Sequence, residues 1–292
     1  MKYRSANTYF RERFRRKVYK VGLSLDVTCP NRDGSKGEGG CIFCSAEGSG
    51  DFASSCCLKV TDQIDMAVDK LSGKTGADTA YIAYFQSFTS TYCDPSYLRQ
   101  ALLEASKHPQ RCAWSGATRP DCLPEEILEV LREASDRMPL FVELGLQTSS
   151  DVTAELINRC YKTELYDKAV SDLHEAGAEV ITHIIFGLPG ESTGDMLDTV
   201  RYACEQGTDG VKFTCLYILK GTKAEKKWHD GLIRPLQMDE YFDIVEEALN
   251  ILPENVIVHR LTGDGPKRIL LAPLWTADKR SVVNYINRRF GH

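Results

Sequence analysis

No apolar run in the sequence approaches the roughly twenty residues that span a bilayer. The first twenty residues, basic and aromatic, have no apolar stretch ahead of a small-residue cleavage site. Neither a membrane span nor a secretory signal is expected, and the protein is read as cytoplasmic. The chain also has no low-complexity tract, no repeat beyond an alternation of strand and helix patterns, and no linker long enough to separate domains. Its formal net charge is only −5, which by itself speaks against a nucleic-acid binder. Cysteine is not scarce: there are eleven in 292 residues. That odd number, without an export signal, argues for reduced thiols rather than a disulfide framework. Yet there is no second Cys-x2-Cys hook and no close His pair, which a four-ligand structural zinc site would require.

What stands out is the stretch from Asp26 to Glu47. An apolar strand, residues 21–27, runs into a Gly-rich loop carrying Cys29, Cys41 and Cys44 in a Cys-x11-Cys-x2-Cys arrangement. Three thiolates from one loop suit a 4Fe-4S cluster with one iron left without a protein ligand, since such clusters otherwise take four cysteines. Gly37, Gly39 and Gly40 let the backbone wrap closely, and Phe43 is placed to cover a group on the open iron. A zinc held by three cysteines, or three unrelated thiols, are the plain alternatives.

Downstream, amphipathic helical spacing alternates with buried-strand runs: strands over 80–85, 112–117, 141–146, 179–186 and 211–219, helices between them, and a helical stretch over 151–176 broken near 161–163. Such βα repetition implies parallel strands joined by right-handed crossovers. Working residues collect at the carboxyl ends of barrel strands, which selects Gln86, Ser87, Arg119, Asp121, Glu143, Gln147, His183, Gly187 and Lys212. Residues 1–20 carry eight basic residues against one glutamate, interleaved with Tyr3, Tyr9, Phe10, Phe14 and Tyr19. That is a pointer to an anionic partner or, alternatively, an amphipathic helix packed on the barrel. Cys56 and Cys57 are adjacent and lack spaced partners, and the remaining cysteines are read as small core residues.

The loop's Cys-x-aromatic-Cys ending resembles the radical S-adenosylmethionine (SAM) superfamily. The eleven-residue first spacing, in place of the usual three, is similar to its YtqA/YhcC-like branch, related to the elongator catalytic subunit and to oxygen-independent coproporphyrinogen oxidase. The resemblance implies an α/β fold, a partial (β/α)6 TIM-like barrel over 21–222 with a basic N-terminal extension (1–20) and a C-terminal extension (223–292), all one domain. It implies an enzyme that uses a 4Fe-4S cluster on Cys29, Cys41 and Cys44 to cleave SAM reductively to a deoxyadenosyl radical. Around SAM it implies Phe43 over the group on the open iron, Gln86 and Ser87 near the amino group, Glu143 and Gln147, and Arg159 on the carboxylate. His183 falls at the ribose, and Gly187 and Pro189 beside adenine. For this branch it implies tRNA as partner, with carboxymethylaminomethyl-uridine at the wobble position converted toward aminomethyl-uridine, and flavodoxin or ferredoxin as electron donor. Arg119, Asp121, Lys212, Lys267, Arg268 and Lys279 are the candidate substrate contacts. Left open beside this are a radical SAM enzyme acting on a small metabolite or peptide, and a non-catalytic, metal-stabilised RNA-binding module. Structural roles are also open for single residues: Glu143 paired with Arg119, His183 as a satisfied core histidine, Arg159 capping a helix.

Overall fold

The structure, a computed structural model, describes residues 3–46, 48, 54–71, 73, 75–76 and 78–291. Its elements run α1 (Ala6–Phe14), β1 (Lys17–Leu23), α2 (Val60–Leu71), β2 (Thr79–Phe85), α3 (Pro95–Ala105), β3 (Arg111–Thr118), α4 (Glu125–Ser135) and β4 (Leu140–Gln147). They continue with α5 (Asp151–Leu156), α6 (Glu164–Glu175), β5 (Glu179–Phe186), α7 (Thr193–Glu205), β6 (Gly210–Cys215), β7 (Ile218–Leu219), α8 (Lys223–His229), α9 (Met238–Ile251), β8 (Ile257–Arg260), β9 (Leu270–Ala272) and α10 (Lys279–Phe290). One parallel sheet has the order β1-β2-β3-β4-β5-β6-β8, the partial barrel expected. Its outward strand faces and the helices bury one continuous apolar layer, from Leu23 and Phe85 to Val211 and Phe213. Among the described residues no helix is long and apolar enough to cross a membrane.

Three boundaries differ from expectation. The first strand begins at Lys17, four residues before Val21, so part of the basic segment is barrel rather than extension. The charged residues 17 and 20 hid the strand, and Lys20 is tolerated because it finds a carboxylate inside, at Glu143. The stretch read as one strand over 211–219 is split: β6 ends at Cys215, and β7 pairs antiparallel with β9. The sheet gains a seventh strand, β8, beyond the sixth βα unit. Of the cysteines read as core, Cys122 and Cys215 are buried, whereas Cys160 is exposed.

The barrel interior is layered. At the strand amino ends Ile82, Ala113, Phe141 and Ile181 form an apolar floor on which Phe10 of α1 sits, its ring edge-on to Phe141 at 5.4 Å. Ser5, just ahead of α1, bridges Val258 of β8, so α1 spans the seam between the two edge strands. One pleat repeat above, the inward residues are ionic: Lys20, Tyr84, Glu143, His183 and Lys212. Above these, at the strand carboxyl ends, lies a cavity.

Candidate functional site

That cavity, about 180 Å³, lies between the cysteine loop and the ends of β3 to β6. Cys29, Cys41, Phe43 and Cys44 line it from the loop, and Ala117, Thr118, Gly145, Gln147, Ile185 and Thr214 from the strands. The loop is pinned by its own polar groups. Asn31 donates Nδ2–H to the Asn158 carbonyl at 2.5 Å and toward Cys41 Sγ at 3.6 Å. Asn158 in turn donates to the Gly40 carbonyl at 2.8 Å, and Ile42 N–H meets the Ile157 carbonyl at 3.0 Å. Gly37 has no alternative here, because a Cβ would lie 2.3 Å from Asn31 Oδ1. Arg32 donates to the Ser45 and Ala46 carbonyls and stacks over Phe88. The hydrogen bond from Cys41 holds the Cys44 thiol below its ordinary value against the opposing effect of burial, and the Arg32 charge adds to it.

These residues fit an iron–sulfur cluster. The three thiols share one cavity wall, yet among the described residues no three His, Cys, Asp or Glu side chains converge closely enough to hold a single metal ion. Three thiols from one loop on the wall of one cavity, with no fourth cysteine among the described residues lining it, suit a polynuclear group with one open corner.

The structure sorts the other expected residues into three places. Phe43, Arg119, Glu143, Gln147, Arg159 and His183 line the cavity with the cysteines. Gln147 closes β4 with φ +61, a conformation rare outside glycine. It folds its amide back over Gly145, where a Cβ would lie 2.5 Å from Gln147 Nε2, and accepts from Tyr161 Oη–H at 3.2 Å. Strain of this kind gathers at working sites. Lys267, Arg268 and Lys279 instead line a separate groove of about 960 Å³ that shares Ser45 and Ala46 of the cysteine loop. Gln86, Ser87, Gly187 and Pro189 are on neither wall. Ser87 is buried and hydrogen-bonded to Ser24 at 2.6 Å, and Gly187 turns the chain after β5 with φ +86.

Hydrogen bonding already engages several of these residues. Arg159 does not offer a free fork for the SAM carboxylate. Fully buried, it donates to the carbonyls of Leu146, Thr148 and Tyr161 and to Thr163 Oγ1, bracing β4 against α6. The Asp121 carboxylate is enclosed, bidentate on Arg119 at 2.8 and 2.9 Å and paired with Lys36 at 3.1 Å. Burial alone would raise the Asp121 carboxyl, but Arg119 holds it low. Arg119 then points Nη1 at the Arg159 carbonyl, 3.1 Å away, and toward Cys29 Sγ at 3.9 Å, so it braces the cysteine loop.

Glu143 pairs not with Arg119 but downward. Oε1 accepts from Lys20 at 2.6 Å, and Oε2 from Lys212 at 2.5 Å, Tyr84 at 2.5 Å and His183 at 2.9 Å. Four donors converge on the carboxylate, three of them on Oε2. Burial alone would raise this carboxyl, but Lys20 and Lys212 hold it well below the ordinary range. Because the carboxylate only accepts, His183 Nε2 carries the proton. Lys212 lies beneath the cavity rather than on its wall. Sequence reasoning missed Arg32, Phe88, Tyr161 and Thr214, whose only signal was nearness to a strand end or to the cysteine loop.

Residues 29–203 match the radical SAM superfamily and residues 208–291 the radical SAM C-terminal domain. The chain is 40% identical to YtqA of Bacillus subtilis (strain 168) over 287 residues, covering 98% of this chain and 89% of that one. It is 33% identical to YhcC of Escherichia coli (strain K12), covering 94% and 88%. A tRNA uridine(34) acetyltransferase of Methanocaldococcus jannaschii is 30% identical over 185 residues, 61% of this chain and 33% of that protein. Among solved structures, Elp3 of Methanocaldococcus infernus superposes with a TM-score of 0.70 at 18% identity, covering 94% of this chain and 63% of that one.

Proposed function

The chain belongs to the radical SAM superfamily, whose members are enzymes that use a 4Fe-4S cluster and SAM, and from that premise we propose that its substrate is the modified wobble uridine of a tRNA, carboxymethylaminomethyl-uridine, taken toward aminomethyl-uridine. When bound, the cluster and SAM supply the means to remove a hydrogen atom from an unreactive carbon. The protein's own role is to hold the open corner beneath Phe43 and to exclude water. It also presents the substrate from the strand-end side.

The observation that carries the reading is the junction of two cavities. The cysteine loop forms one wall of the cluster cavity with Cys44 and, one and two residues on, one wall of the groove bearing Lys267, Arg268 and Lys279. A polyanion lying along those cations would bring a base to the mouth beside Phe43. Similarity to a tRNA uridine(34) acetyltransferase supports the same position of the same class of RNA. Lys279 is ion-paired with Asp264 at 2.8 Å, which leaves Lys267 and Arg268 as the main candidates for phosphate. The test is mass mapping of tRNA from a deletion strain. Wobble carboxymethylaminomethyl-uridine should accumulate at the expense of its aminomethyl product, and an unchanged wobble profile would refute the assignment. In parallel, the anaerobically reconstituted enzyme with dithionite and SAM should form deoxyadenosine, more with bulk tRNA, and Cys41→Ala should abolish it.

A further inference from the structure

The ionic layer beneath the cavity has more positive than negative groups. Lys20 and Lys212 both pair with one carboxylate, Glu143, and Arg260 of β8, level with Lys212 after the bulge, lies near enough to act on Tyr84, His183 and Lys212. Lys20 and Lys212 both reach Glu143 and flank the Tyr84 ring at 5.0 and 4.9 Å. Arg260 donates Nε–H to the Thr262 carbonyl at 2.9 Å and has no carboxylate partner among the described residues. The other titratable groups of the layer, His183 and His259, add no negative charge. Lys212 is buried, and Lys20 and Arg260 are half-buried; gathering three cations around one carboxylate away from bulk water is costly unless a second anion joins them, and burial pulls Lys212 down to about 7.

The layer is reachable from the cavity, since Glu143 and His183 form the cavity's lower wall. It lies one pleat repeat, roughly 7 Å, below Gly145. We propose that this layer is the receptor for a carboxylate on the substrate, with Arg260 as the group that engages it. An arginine fork matches a carboxylate in two parallel bonds. The naming of the carboxylate rests on the wobble-uridine reading: a carboxymethylaminomethyl chain, with bonds near 1.5 Å, extends roughly 5 Å from its ring. With the ring drawn past the mouth into the cavity, that reach directs the carboxylate toward the layer, the long Arg260 side chain covering the remainder, and leaves the carbons ahead of it in the cavity.

The experiment uses no RNA, so its failure is separate from failure of the wobble assignment. The probe is N-benzylglycine, an aromatic ring bearing the same carboxymethylaminomethyl chain, with N-methylbenzylamine as the control that lacks the carboxylate. Binding is measured by calorimetry on the anaerobic protein carrying cluster and SAM, without reductant. N-Benzylglycine should bind wild type at least tenfold more tightly than the control amine does. Arg260→Met should lose at least tenfold in N-benzylglycine affinity, and Arg260→Lys should retain most of it. Because Arg260 is surplus to the layer, Arg260→Met should melt no lower than wild type. The proposal is overturned if N-benzylglycine does not bind wild type, if it binds Arg260→Met equally well, or if the amine binds as tightly. It is also overturned if Arg260→Met loses SAM affinity while keeping that for N-benzylglycine, which would assign the layer to the cofactor's own carboxylate.

Discussion

Replacing Glu143 with glutamine tests the ionic layer most directly. The side chain is 1% exposed and is shared by two lysines, a tyrosine and a histidine at 2.5 to 2.9 Å. Glutamine keeps the volume but removes the charge, so the ammonium groups of Lys20 and Lys212 are left buried against a neutral amide. Removing one partner of a buried pair costs about 3–5 kcal/mol. At roughly 2.1 cal/mol/K of unfolding entropy per residue over this chain, that loss lowers Tm by roughly 5–8 °C. Thermal melts followed by circular dichroism at pH 7 should show that drop, and adding Lys212→Met should recover some of it by removing a stranded cation.

The pH dependence has a definite sign. Burial lowers Lys212 to about 7, so from there up to the ordinary lysine range the unfolded chain binds the extra proton, and wild-type stability rises with pH. Lys212→Met should lack that rise. The stabilisation from the depressed Glu143 carboxyl is complete above the ordinary carboxylate range and is lost as pH falls through its folded value. A Glu143→Gln protein melting within about 1 °C of wild type, against the larger loss set by the buried pair, would refute the reasoning. So would a Lys212→Met protein that keeps the rise.

Two further outcomes follow from named contacts. Arg119→Met removes a buried positive charge near Cys29 Sγ, so the cluster should become harder to reduce; a potentiometric titration monitored by electron paramagnetic resonance should show a lower midpoint, and an unchanged midpoint would remove Arg119 from any tuning role. Lys267→Gln should flatten the dependence of tRNA affinity on salt by about one unit of log–log slope if Lys267 meets a phosphate, while Arg11→Gln, at the other end of the barrel, should leave the slope unchanged in the same fluorescence-anisotropy assay.

Much of this was legible because it rests on short-range rules. The cysteine spacing read directly as a cluster loop, and β2 to β5 appeared as apolar runs because a parallel strand covered on both faces has little room for polar residues. The helical break near 161–163 also stood where α5 gives way to α6. What escaped are properties of closure. Lys20, Tyr84, Glu143, His183 and Lys212 come from five strands, and nothing in their spacing says that they share a layer. Arg159 reads as a cofactor ligand by position, but its donors are consumed by carbonyls of its own turn, which only the folded path of residues 146–163 reveals. Arg119 and Asp121, two residues apart, looked like polar strand-end groups reaching for substrate. Their mutual pairing is local, yet its use in holding Cys29 depends on a loop ninety residues earlier in the chain.

The basic, aromatic amino terminus changes meaning once the ends of the barrel are assigned. Phe10 seats on the floor, and Tyr9 and Arg13 of α1 meet Glu179, the first residue of β5. The cysteine cavity lies toward the other end of that strand, its lower wall reached at His183, four residue steps and so roughly 13 Å on. Lys20 is already engaged inside by Glu143, and Arg4 pairs with Glu12. The exposed remainder among the described residues, Arg11, Arg15, Arg16 and Lys17, therefore stands at the end opposite the cysteines. The excess of positive charge near the amino terminus thus answers first to the architecture: a helix that must close a seam, plug an apolar floor and hand a lysine to a buried carboxylate. Attraction for an anionic partner at the working end has to come from cations that the chain supplies more than two hundred residues later, in the loop that turns back beside the cysteines.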